Sequence, residues 1–139
     1  MPSSFRVALV GTGRVGYQFS FSDVPDNHAE AIVANPRTDL VAGVNRSREK
    51  LDAFGERFGI DALFHDMGQM LRDVKPDICI IATHPELHAQ MVSECAAAAT
   101  VKAIICEKPM ALSLAECDVM IDACKRHDVL LQVNHNRRW

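Results

Sequence analysis

The chain has 139 residues, 48% of them hydrophobic and 24% charged, with a formal net charge of -3. That length suits one domain of about 100–150 residues, and that composition can build a core. No basic tract points to nucleic acid, no acidic tail to a disordered arm, and no apolar run nears the ~20 residues that span a bilayer. Arg6 is followed by only four apolar residues before Gly11, too few for a signal peptide. Cys79, Cys95, Cys106, Cys117 and Cys124 lack Cys-x-x-Cys spacing. They read as buried thiols in a reducing compartment, so a cytoplasmic location is expected.

Short apolar runs alternate with helix-period segments, the pattern of an α/β fold. Phe5 to Val10 reads as a strand ending in a glycine cluster, and Arg14 to Phe21 as the first helix. A second helical piece is expected over His28 to Ala34, after the break at Pro25-Asp26-Asn27, and a buried strand over Leu40 to Val44. Ser47 opens the next helix, whose Leu51, Phe54 and Phe58 form one apolar stripe, with Gly59 as its left-handed cap. Ala62 to Phe64 is a weak strand, and Asp66 with Gln69 starts a short helix through Leu71. Asp77 to Thr83 is the clearest strand, continuously apolar as in a sheet covered on both faces. Pro85 suits the first turn of a helix running to about Ala99. Ala103 to Cys106 follows as a strand. Ser113 and Glu116 make a capping box ahead of the core stripe Cys117, Met120, Ile121 and Cys124, and Lys125, Arg126 and His127 close that helix. Leu130 to Val133 is the last strand.

Six strands with helices between them predict one domain over residues 1–139: a Rossmann, doubly wound, mostly parallel six-stranded sheet with helices on both faces, order 3-2-1-4-5-6. Its first turn, Gly11-Thr12-Gly13-Arg14-Val15-Gly16, is Gly-x-Gly-x-x-Gly between strand and helix. Gly11 permits the tight turn, Gly13 lets backbone approach a pyrophosphate, and Gly16 allows close helix packing. The helix N-terminus favours the phosphates. S-adenosylmethionine is the rival ligand, and a turn kept only for packing is the bland alternative.

The second strand ends in Val44-Asn45-Arg46-Ser47-Arg48, with no carboxylate for an adenosine ribose. Arg46, Ser47 and Arg48 could bind a 2′-phosphate, which favours NADP(H) over NAD(H). Alternatively Arg46 stacks on adenine, Ser47 only caps its helix, and Asn45 bonds an NAD ribose.

Further along, Cys106-Glu107-Lys108-Pro109-Met-Ala-Leu-Ser resembles the Glu-Lys-Pro signature of the Gfo/Idh/MocA (glucose–fructose oxidoreductase / inositol dehydrogenase) family. Ile80-Ile81-Ala82-Thr83-His84-Pro85-x-x-His88, Pro76-Asp77, Asp66 and Asn134 through Arg138 fit the same family, so the resemblance covers the whole chain. It implies an oxidoreductase that transfers hydride between a nicotinamide cofactor and a sugar, cyclitol or related alcohol. It also implies that Lys108 lies beside the nicotinamide and the reacting hydroxyl, that Glu107 positions Lys108 or the cofactor, and that Thr83, His84, Pro85 and His88 line or adjoin the cofactor cleft. Lys108-Pro109 is a candidate cis peptide. Lys108 could instead be a surface lysine, and His88 a structural or solvent-facing residue. His135 and Arg138 are either substrate-facing or part of a polar terminus.

The family's C-terminal substrate domain is absent from these residues. The chain alone is therefore expected to bind dinucleotide but to turn over poorly or not at all, since hydride transfer needs all partners held together. A small-molecule substrate is expected only with a second domain, with no nucleic-acid or membrane partner. Homo-oligomerisation stays open, as do two other functions: a stand-alone, non-catalytic nucleotide-binding or redox-sensing module, and a structural protein that dimerises through bare surface.

Overall fold

The computed structural model describes residues 4–18 and 24–135. Six strands form one sheet: β1 (Phe5–Val10), β2 (Thr38–Val44), β3 (Leu63–Phe64), β4 (Ile78–Ile81), β5 (Ala103–Glu107) and β6 (Leu130–Asn134). Their order is β3-β2-β1-β4-β5-β6. Every pairing is parallel, so the sheet is wholly rather than mostly so. The helices are α1 (His28–Ala34), α2 (Arg48–Phe58), α3 (Met67–Val74), α4 (His88–Ala97) and α5 (Leu114–Arg126).

The helix expected from Arg14 to Phe21 differs. Arg14–Gln18 is a wide π-turn, in which Tyr17 N and Gln18 N both donate to Gly13 O, at 3.1 and 3.3 Å. The remainder of that expectation lies outside the described residues. Other differences are at element ends. β2 starts at Thr38 and α3 runs on to Val74, while Pro85–Leu87 is a tight 3-10 turn that feeds α4.

The caps follow the residue chemistry. Asn27, Ser47, Asp66 and Ser113 each accept a backbone N–H of their helix's first turn, and Ser113 with Glu116 completes a reciprocal box. Asp66 and Gln69 make only half of one, since the Gln69 amide turns to Asp73. Gly59, at φ 66°, ends α2.

The core lies on both faces of the sheet. One face packs Val7, Leu9 and Ile80 against Tyr17, Ile32 and Phe54, whose edge-on rings stand 5.5 Å apart at Tyr17–Phe54. The other packs Val10, Cys79, Ile81 and Ile104 against Met70, Val92, Cys95 and Met120. Four of the cysteines are buried, Cys117 is half-buried, and all are free thiols. Ile121, expected in the α5 stripe, is 37% exposed, because Met120, Ala123 and Cys124 form the inward face.

At the amino edge Asp77 ties three strands together. Its carboxylate accepts from Arg6 N at 3.0 Å and Lys102 Nζ at 2.6 Å, while its own N–H donates to Arg6 O. Arg6 Nη1 in turn donates to the Val74 and Lys75 carbonyls. The Lys102 hydrogen bond and the Arg6 amide hold the Asp77 carboxyl below the usual range. This leaves the loops of the carboxyl edge to shape a cleft.

Candidate functional site

The carboxyl edge bears a cleft of about 710 Å³, within the ~300–1,000 Å³ of small-molecule sites. It opens where the strand order reverses, between β1 and β4, as α/β ligand sites do. Gly11, Gly13, Arg14 and Val15 form one side and Asn45, Arg46, Ser47 and Lys50 the end beside β2. Thr83, His84, Leu87 and Met91 form the opposite wall.

The three glycines have three different surroundings. Gly11 has φ 99°, and a Cβ there would stand 2.4 Å from Ala82 O. A Cβ on Gly16 would stand 2.2 Å from Gly11 O, so its need is the turn's own carbonyl more than the sheet. A Cβ on Gly13 would meet nothing within 4 Å. Gly13 thus leaves a bare backbone face on an open cleft, which fits a group that lies directly on the main chain.

Thr12 is placed differently from the other residues of the turn. It is fully buried, turned toward Gly43 and away from the cleft, and its Oγ1 has no partner among the described residues. Its side chain is therefore not part of the cleft wall, and an orphaned hydroxyl inside the turn suits an ordered water.

At the end beside β2 Asn45 Oδ1 accepts from Ser47 N at 2.9 Å, and Asn45 O accepts from His65 Nδ1 at 2.9 Å. Ser47 Oγ caps α2 through Lys50 N. Arg48 departs from expectation: its Nε pairs with Asp52, at 2.9 and 3.1 Å, one turn along its own helix. Lys50, which the sequence reading did not single out, lines the cleft in its place. Asp66 and Glu94 add carboxylates to the far wall, but Asp66 Oδ1 is engaged by Gln69 N at 2.7 Å.

One strand beyond lies the Glu107-Lys108-Pro109 turn, and the Lys108–Pro109 bond is cis, as expected. Lys108 is exposed and stands outside the cleft wall, as do Gly16, Pro85, His88 and Glu107. His88 is fully buried as the first residue of α4. Its Nδ1 faces Pro109 O at 3.0 Å and Met110 O at 3.2 Å, and its Nε2 faces Thr83 O at 3.2 Å. The ring does not line the cleft, in keeping with the structural alternative for His88: it is a strut between the cleft wall at Thr83 and the Lys108 turn.

Glu107 is buried beneath that turn and accepts from His28 Nε2, Asn134 Nδ2 and Lys108 N. Burial pushes its carboxyl up, but the hydrogen bonds from His28, Asn134 and the Lys108 amide outweigh that and hold it below its ordinary value. The adjacent Cys106 thiol is pushed up to about 12, by burial first and the Glu107 charge second. It is thus a packing group and no nucleophile at neutral pH. His135 is exposed, and Arg138 lies outside the described residues. Among the described residues no group of three His, Cys, Asp or Glu could hold a metal ion, and no helix is long and apolar enough to cross a membrane.

Comparison with known proteins agrees with this geometry. The GFO_IDH_MocA family model, described as an oxidoreductase family with an NAD-binding Rossmann fold, matches residues 5–135. D-apiose dehydrogenase of Paraburkholderia graminis is 39% identical over 135 residues, 97% of this chain and 33% of the relative. Myo-inositol 2-dehydrogenase of Thermotoga maritima is 29% identical over 134 residues, 96% of this chain and 37% of the relative. The crystal structure of the WlbA dehydrogenase from Bordetella pertussis in complex with NADH and UDP-GlcNAcA superposes with a TM-score of 0.85 at 29% identity, covering 99% of this chain and 37% of that one. The chain spans about a third of the length of these relatives. On its glycine turn, its sheet order and this match over nearly all its residues, it belongs to the Gfo/Idh/MocA oxidoreductase family, as the NAD-binding Rossmann fold of that family.

Proposed function

We propose that this chain is the cofactor-binding domain of a dehydrogenase acting on a sugar, cyclitol or related alcohol, with NADP(H) favoured over NAD(H). The observation that carries the reading is the strut from cleft to turn: His88 fixes Thr83, on the cleft wall, against Pro109, next to Lys108. The cleft and the lysine are thus held as one unit.

The residues fit a dinucleotide. Gly13 offers an unobstructed main-chain face to the pyrophosphate, and Asn45 to Ser47 would take the adenosine ribose. Arg46 and Lys50 bring positive charge to that end with no carboxylate at position 45, and the first turn of α2 points there too, so a 2′-phosphate would be welcome. When bound, the nicotinamide supplies the hydride acceptor. Lys108 would donate a hydrogen bond to the substrate oxygen and help move its proton. Thr83 and His84 would close the wall at the reacting end. The substrate pocket needs a second domain, so the chain alone should bind cofactor without efficient turnover.

Titration of the chain with NADPH and NADH, followed by ligand fluorescence and melting temperature, tests this. A ligand bound only by the folded state stabilises it by about 2.7 kcal/mol at a hundredfold excess over Kd. Selective stabilisation by NADPH is expected. Preference for NADH would remove the 2′-phosphate assignment and keep the fold. Indifference to both would favour a packing-only glycine turn. In the complete polypeptide, Lys108→Ala should abolish hydride transfer while leaving cofactor affinity intact, whereas a non-catalytic nucleotide module would not need Lys108.

A further inference from the structure

We propose that His28 is a positioning residue for Lys108, acting through the Glu107 carboxylate; this rests on the role given to Lys108 above. Glu107 Oε1 accepts from His28 Nε2 at 2.7 Å and from Asn134 Nδ2 at 2.6 Å, and Oε2 accepts from Lys108 N at 3.3 Å. The His28 and Glu107 side chains are 13% and 9% exposed. One buried carboxylate therefore joins the start of α1, the end of β6 and the first residue of the cis turn.

The two donors to Oε1 differ in origin. Asn134 is the in-register neighbour of Glu107 on the adjacent strand, so sheet pairing alone brings it there. His28 comes from a different element, 79 residues away in sequence, at the start of α1. Without His28 the Oε1 side of the carboxylate would be held by the Asn134 amide alone. Two donors from different elements fix its plane and so aim Oε2 at the Lys108 amide. His28 is itself held in place, because Asn27 is buried and its Oδ1 caps α1 through Glu30 N. The groups facing the carboxylate are thus His28 from α1, Asn134 from β6 and the Lys108 amide, with the neutral Cys106 thiol beside it. A buried acceptor that loses one donor keeps its desolvation cost, so the geometry resists rearrangement.

His28→Gln keeps an N–H donor at similar reach, and His28→Phe removes it at similar bulk. The backbone amide of Lys108, read in 15N–1H spectra of the 139-residue chain, reports the carboxylate it donates to. In wild type and His28→Gln this signal should titrate with a midpoint below the ordinary Glu value of 4.5. In His28→Phe the midpoint should rise and the neutral-pH signal should move. In the complete polypeptide, His28→Phe should lower kcat by about tenfold or more at unchanged dinucleotide KM, and His28→Gln should restore it. An unmoved Lys108 amide with unchanged kcat in His28→Phe would overturn the proposal. So would a His28→Gln protein as defective as His28→Phe, since the donor would then be irrelevant. If His28→Phe fails to fold, the His28→Gln spectrum decides: a displaced Lys108 amide or raised midpoint counts against the link. Full hydride transfer by Lys108→Ala would sink the catalytic reading of Lys108 separately, because the amide response does not depend on it.

Discussion

Gly13→Ala should separate folding from binding. A Cβ at Gly13 meets nothing within 4 Å, and its φ lies outside the left-handed region. The substitution therefore removes unfolded-state freedom without a folded-state clash, which is worth about 0.4–1 kcal/mol of added stability. For a domain of this size that is a rise of roughly 2–4 °C in melting temperature. The same methyl projects about 1.5 Å from Cα into the face proposed for the pyrophosphate. Phosphate oxygens that sit at ~2.9 Å from backbone N–H groups would be pushed outward, weakening charge-assisted bonds worth about 1.5–3 kcal/mol each. The expected result is a Kd for NADPH raised by about ten- to a hundredfold on a protein that melts no lower than wild type. Gly16→Ala is the contrast, because its Cβ would stand 2.2 Å from Gly11 O and the backbone must shift. It should lose roughly 2–4 kcal/mol of stability along with binding. Fluorescence titration and thermal melts on the three proteins suffice. Wild-type affinity in Gly13→Ala would refute the placement of the pyrophosphate. A lowered melting temperature would refute the claim that the site is open.

Glu107→Gln should flatten the acid limb of the stability profile. The folded carboxyl lies below the ordinary 4.5, so its contribution is fully present above that value and is lost as pH falls through the folded one. Denaturant titrations from neutral to acid pH should show wild type losing this increment and the variant lacking it throughout. His88→Ala strips the strut from three carbonyls in a fully buried site and should cost about 2–4 kcal/mol in urea unfolding; a neutral result would mean the ring is dispensable. Arg46→Ala should weaken NADPH by about tenfold and NADH by much less, and equal losses would assign Arg46 to adenine stacking instead.

Most of the scaffold was legible because local and global signals agreed. Ser113 with Glu116, Asn27 before His28, and the apolar run from Ile78 each specify one element whatever surrounds them. The glycine turn likewise announced the cleft, and the Glu-Lys-Pro segment the cis turn one strand beyond it. What was not legible depends on contacts between distant residues. Nothing adjacent to His28 hints at Glu107, and nothing adjacent to His88 hints at Pro109, so His28 could be read only as a helix residue and His88 only as a cleft-side, structural or solvent-facing one. Arg48 looked equivalent to Arg46, but Asp52 stands four residues on and takes its guanidinium. Lys50 entered the cleft through helix phase, a matter of a hundred degrees per residue that a run of polar residues conceals. The π-turn is of the same kind: apolar periodicity marks a helix and does not report whether Gly13 O receives one N–H or two.

Asp77 bears on how such a protein can change over evolutionary time. Through Arg6 and Lys102 it locks β1, β4 and β5 at the edge opposite the cleft. Registration of the central strands is thus secured without help from the loops that would meet cofactor and substrate. Those loops can be lengthened, shortened or recharged without loosening the frame, which makes the cleft-facing rim a surface open to retailoring for new ligands while the foundation stays constant.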